Sequence, residues 1–185
     1  MIFFIFSNNN SEKQKLIKSL QDNFETKVLG PVTNSLGMKV TRNRKEGTIS
    51  LSQSSYVINL LKRFNMTEAK PVSTPMAVNV KLEKATQNSS MYPYQQLIGG
   101  LLYLSVCTRP DIAYATNYLS QFNTCHDKNH WIAAKRVLRY LVGTTNYSLT
   151  FKSTRNFSLE AYVDADWAGD TTDRRSTTGF VMKAG

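Results

Sequence analysis

The run Asn129-His130-Trp131-Ile132-Ala133-Ala134-Lys135-Arg136-Val137-Leu138-Arg139-Tyr140-Leu141-Val142, closed by Gly143, decides the fold. At 3.6 residues per turn, Trp131, Ala134, Leu138, Leu141 and Val142 share one arc, which predicts a helix with a core-facing side. Lys135, Arg136 and Arg139 fill an adjacent wedge about 100° wide by the same geometry. Asp127 stands where an N-cap is needed and Gly143 where the helix should stop. A cationic wedge beside a packed face can follow a nucleic-acid backbone, each contact releasing counterions. An ordinary solvated face has the same composition, and the helix alone weighs the two readings evenly.

Upstream, two more helices are expected. From Tyr92, with Pro93 suited to a first turn, Leu97, Leu101, Leu102 and Leu104 supply an apolar face. Gly99 and Gly100 would let a neighbour approach that face. Thr108-Arg109-Pro110-Asp111 stops this helix and starts another, carrying Ile112, Ala115, Leu119 and Phe122. Residues 65–92 read as a linker, punctuated by Pro71, Pro75 and the polar run 87–90, with no surviving hydrophobic period. Before it, Ser55 to Phe64 reads as a helix that stacks Tyr56, Leu60, Leu61 and Phe64 on one side.

Two strands, Leu36 to Arg42 and Thr48 to Gln53, fit a hairpin around the turn Asn43-Arg44-Lys45-Glu46-Gly47. Arg44 and Lys45 at such a tip can grip a phosphate backbone. Exposed basic residues there are usually only solvated, and the residues alone favour that reading. Ser11-Glu12-Lys13-Gln14 has the spacing of a capping box for a helix with Leu16, Ile17, Leu20 and Phe24 on one face, ending near Thr26. Ile2 to Phe6 lacks a basic leader and a small-residue cleavage site, so a buried strand is expected rather than a signal peptide.

Downstream of Gly143 the helical period ends. Tyr147 to Lys152, Leu159 to Asp166 and Phe180 to Met182 read as consecutive strands of an antiparallel sheet. Glu160, Asp164, Asp166, Asp170 and Asp173 cluster there without an intervening Lys or Arg. Strand alternation places Asp164 and Asp166 on one face, where two carboxylates can hold a divalent cation or cap a turn before Gly169. The residues give both readings equal weight.

The whole chain of 185 residues carries a net charge of +10, with 23 Lys and Arg against 13 acids, which points to an anionic partner and first to nucleic acid. The surplus is uneven: 13 basic and 6 acidic groups in residues 1–92, then 10 and 7. Cys107 and Cys125 lack metal-ligand spacing and read as reduced thiols of an intracellular protein. No apolar run reaches the length of a membrane span, so no membrane partner is expected.

Several of these stretches, in this order, resemble the Pol polyprotein of copia-type (Ty1/copia) retrotransposons. The resemblance rests on Leu97-Ile98-Gly99-Gly100-Leu101-Leu102-Tyr103-Leu104, Thr108-Arg109-Pro110-Asp111-Ile112, Lys135 to Thr144, and Tyr162-Val163-Asp164-Ala165-Asp166-Trp167-Ala168-Gly169. Asp173 to Gly179, Leu36-Gly37-Met38 with Ile49 to Gln53, and Val72-Ser73-Thr74-Pro75-Met76 extend it over essentially the whole chain. It implies an α+β chain in three parts. Residues 1–53 would be the end of a reverse-transcriptase palm with a primer-gripping hairpin, and 54–145 a helical thumb and connection. Residues 146–185 would open an RNase H-like antiparallel sheet.

The resemblance makes Asp164 the first metal-binding carboxylate of an RNase H-like site for Mg²⁺ or Mn²⁺, and gives Asp166 no task. It also implies an RNA–DNA hybrid or other duplex as partner, together with the rest of a Pol polyprotein, in a cytoplasmic virus-like particle or the nucleus. The family's polymerase Asp pair and later RNase H carboxylates are expected outside this sequence. Three functions follow: a fragment of an RNA-directed DNA polymerase with RNase H, inactive alone; a non-catalytic duplex-binding module; and a cation-dependent nuclease using Asp164 and Asp166.

Overall fold

The computed structural model describes residues 3–78, 80–86, 91–153, 158–165, 176 and 178–184. It divides into two compact units, Met1–Thr33 and Asn34–Gly185.

The first unit holds one helix, α1 (Asn10–Asn23). Its N-cap is Asn9, whose side-chain carbonyl accepts from the backbone N–H groups of Ser11, at 2.9 Å, and Glu12, at 3.3 Å. Asparagine supplies the acceptor as well as serine does, so the cap falls two residues before the Ser11 box expected from spacing. The helix stops at Asn23, short of Thr26, and none of its residues is buried. The apolar run at 3–6 is not the expected buried strand: it has no regular structure, and Phe6 is 89% exposed. A strand needs a neighbour for its N–H and C=O groups, and no described strand pairs with this run.

The second unit begins with β1 (Asn34–Ser35), β2 (Met38–Asn43) and β3 (Thr48–Ser52), paired antiparallel. Leu36 and Gly37, expected inside a strand, instead form a two-residue turn with both φ positive, 48° and 73°. This is the backbone twist that suits a tight hairpin, and the Tyr103 hydroxyl donates to the Leu36 carbonyl at 2.6 Å to hold it. The second turn follows the expected register: Asn43 Oδ1 accepts from the N–H groups of Lys45 and Glu46, and Gly47 takes φ 64°.

Four helices follow: α2 (Ser54–Arg63), α3 (Tyr94–Cys107), α4 (Ala113–Ser120) and α5 (Lys128–Gly143), with a 3₁₀ turn at Pro110–Ile112 before α4. Val57, Leu60 and Leu61 of α2 meet Leu97, Ile98, Leu101 and Leu104 of α3, Leu119 of α4, and Leu138 and Leu141 of α5 in one core. At Gly100 an added Cβ would lie 2.8 Å from a Leu60 methyl, so the expected close approach is real there. Gly99 faces open space.

β4 (Leu149–Lys152) does not join the later strands. It pairs antiparallel with β3, completing a four-stranded sheet in the order β1-β2-β3-β4. This pairing spans both divisions drawn from the sequence, because β3 precedes residue 54 and β4 follows residue 145. β5 (Leu159–Ala165) and β6 (Thr178–Ala184) form a separate antiparallel pair. Helices and strands are thus mixed in one chain.

Candidate functional site

Asp127 caps α5 as expected, accepting from the N–H of Asn129 at 2.8 Å, while the His130 ring closes a capping box back to the Asp127 backbone. The packed arc is wider than the one read from periodicity. His130, Val137 and Tyr140 are buried as well as Ala134, Leu138 and Leu141, while Trp131 is half-buried, stacked on Tyr92 with ring centres 5.6 Å apart. The helix touches α2, α3 and α4, so more than half its circumference is enclosed.

The remaining side is the cationic wedge, and residues 66–78 lie across it. This segment has no helix or strand, as expected of a linker, but it is not a free tether. Met66, Val72, Met76 and Leu82 pack against the helical core. Arg136 Nη2 donates to Thr74 Oγ1 at 2.9 Å, and Arg139 Nε donates to the Lys70 carbonyl at 2.7 Å. Pro71 sits against Gly143 at the end of the helix, where a Cβ would lie 3.2 Å from the proline ring. Residues 70–76 therefore act as a strap, with Arg136 and Arg139 as its anchors. Lys135, Arg136 and Arg139 are each half-buried and together line a cleft between strap and helix. No carboxylate pairs with them among the described residues.

The hairpin tip contrasts with this wedge. Arg44 and Lys45 are exposed, and only the Lys45 backbone is engaged, by Asn43. Their side chains project from a turn fixed by Gly47. Both side chains are open to a polyanion.

Asp164 lies on β5 opposite Gly179 of β6, on a strand exposed along its whole length. Asp166, Asp170 and Asp173 fall outside the described residues. Among the described residues no three His, Cys, Asp or Glu side chains gather closely enough to hold a metal. Asp164 by itself does not make a cation site.

One constellation went unassigned in the sequence. Arg109, read in the sequence as part of a helix break and of a family motif but given no contact, is buried and forks onto Asp111, with Nη2 to Oδ2 at 2.8 Å and Nε to Oδ1 at 2.9 Å. It also donates to the carbonyl and hydroxyl of Thr144, while the Tyr140 hydroxyl donates to Asp111. Burial works to raise the Asp111 carboxyl pKa, but Arg109 and Tyr140 outweigh it and hold the group below its usual range. The knot ties the start of α4 to the end of α5. Its signal in the sequence was an Arg with an Asp two residues on, separated by a proline that fixes the bend.

A profile of the reverse transcriptase (RNA-dependent DNA polymerase) family matches residues 2–78. A retrovirus-related Pol polyprotein from transposon TNT 1-94 of Nicotiana tabacum is 44% identical over 176 residues, covering 91% of this chain and 13% of the relative. A Pol polyprotein from transposon RE2 of Arabidopsis thaliana is 47% identical over 139 residues, 74% of this chain and 10% of the relative. An uncharacterized mitochondrial protein of Arabidopsis thaliana is 36% identical over 181 residues and is matched over 73% of its own length. The chain thus spans about a tenth of the Pol polyproteins and most of the shorter relative. No solved structure matches it.

Proposed function

We propose, for a chain that belongs to the copia-type retrotransposon Pol family and carries part of its reverse transcriptase, that its work is to hold a nucleic-acid duplex rather than to perform chemistry. The observation that carries this reading is the family's polymerase context joined to a net charge of +10, with cations on the hairpin tip and α5 that no described carboxylate neutralises. Lys and Arg facing a phosphate backbone supply most of non-specific duplex affinity through counterion release.

The hairpin tip bears most of that role in this proposal. Arg44 and Lys45 reach solvent without competing partners, whereas Arg136 and Arg139 are partly committed to the strap. Lys135 supplements them. The duplex is an RNA–DNA hybrid, by analogy with the polymerase activity in the family's name. Asp164 is the residue we would assign to an RNase H-like cation site, with Mg²⁺ or Mn²⁺ held once further carboxylates are supplied beside it.

β5 and β6 fit a role within a larger polyprotein. Tyr162, Val163, Phe180, Val181 and Met182 are all more than half exposed, and a two-stranded pair rarely stands alone without a covering face. Further Pol polyprotein is the cover we propose.

The test is fluorescence anisotropy of a labelled RNA–DNA hybrid titrated with the chain across a salt series. Binding that weakens steeply with salt is expected. Absent binding, or binding indifferent to salt, would refute the reading.

A further inference from the structure

The cleft between residues 66–78 and α5 has a chemistry that a duplex does not use. Its volume is about 460 Å³, within the span of roughly 300–1,000 Å³ usual for small-molecule sites. Met76, Ala77, Val80, Leu119, Ile132 and Ala133 make its walls apolar, while Lys135, Arg136 and Arg139 supply cations at its edge. No acid lines it.

Two of the cationic donors are spent on the strap, but others are free. Arg136 Nε is buried and has no hydrogen-bond partner among the described residues. The Lys135 ammonium takes part in none of the ion pairs formed by described residues. A buried donor without an acceptor is unfavourable unless something fills the position. Lys135, Arg136 and Arg139 beside an apolar cleft with no acid in its lining call for an occupant that is anionic at one end and apolar at the other. A duplex backbone is anionic throughout and offers nothing to the apolar walls.

We propose that this cleft binds a small amphipathic phosphate monoester, with its apolar body between the strap and α5 and its phosphate on the cationic edge led by Lys135. Recognition is by charge-assisted hydrogen bonds at the edge and by burial of the aliphatic part. The site does not depend on duplex binding at the hairpin tip.

The probe is octyl phosphate, titrated calorimetrically into the full chain beside inorganic phosphate and 1-octanol. One saturable site is expected, at least tenfold tighter for octyl phosphate than for either half-ligand. Lys135→Met, at a half-exposed position, should weaken octyl phosphate tenfold or more and leave octanol unchanged. Ile132→Trp, at an exposed position on the cleft wall, should block both while the far-UV spectrum stays native. Unchanged octyl phosphate affinity in Lys135→Met, or inorganic phosphate binding as tightly, would overturn the proposal. A chain that binds octyl phosphate but no hybrid refutes the duplex reading alone, and the reverse refutes this one alone.

Discussion

Arg109 is 2% exposed, and its guanidinium satisfies Asp111 and Thr144 while lying 5.3 Å from the Tyr147 ring centre. Asp111 keeps 31% of its side chain in solvent, so removing Arg109 does not strand a buried charge; the loss of its hydrogen bonds to Asp111 and Thr144 costs about 1–3 kcal/mol. Arg109→Met should therefore lower the urea-unfolding free energy by that order. Lysine should not rescue it, since a point ammonium cannot reproduce the planar fork. Asp111 adds a pH dependence of definite sign. Its carboxyl pKa is depressed on folding, so its stabilisation is present above the ordinary carboxyl value of about 4 and is lost as pH falls below it. Asp127, held down against its own partial desolvation by hydrogen bonds from His130 and Asn129, acts in the same direction. Stability measured by urea titration should drop as pH is lowered from about 5 toward 3. Asp111→Asn should be less stable at neutral pH and show a shallower drop. An equally steep acid limb in that variant would remove Asp111 from the account.

Among the elements, α3 offers a contrast between adjacent residues. Gly99→Ala meets open space and should stabilise the helix by up to about 1 kcal/mol, the usual glycine penalty. Gly100→Ala drives a Cβ to 2.8 Å from Leu60 and should destabilise by about 1–3 kcal/mol through overpacking. Thermal melts of the two variants should move in opposite directions. The same elements show how far the sequence could be read. Helices α2 to α5 were legible because their apolar periods are strong and Asp127 and Gly143 mark the ends of the last. The alternating apolar residues of β3 and the Gly47 turn marked the hairpin. The partner of β4 was not legible: its pairing with β3 joins Leu149 to Leu51, far apart in sequence. The strap was hidden for a different reason. Its contacts are isolated side chains, Val72 and Met76 inward and Thr74 toward Arg136, and isolated contacts leave no period. Phe3 to Phe6 misled because composition alone suggested burial, whereas a strand also needs a hydrogen-bonding neighbour.

For the molecule as a whole, family membership and charge agree. The reverse transcriptase profile spans residues 2–78, and the identity to Pol polyproteins runs on through residues that build the helical core. The surplus of ten positive charges includes Arg44 and Lys45, exposed at a hairpin tip, while Arg136 and Arg139 of the α5 wedge are held by the strap. That contrast separates the account from one in which α5 alone grips the duplex. The most direct measurement is the slope of log Kobs against log salt for an RNA–DNA hybrid, compared between the parent chain and Arg44→Ala/Lys45→Ala. Each lost phosphate contact flattens the slope by about 0.9 on B-form DNA. The account predicts a slope shallower by about 2, with unchanged thermal stability; identical slopes and affinities in the two proteins would contradict it.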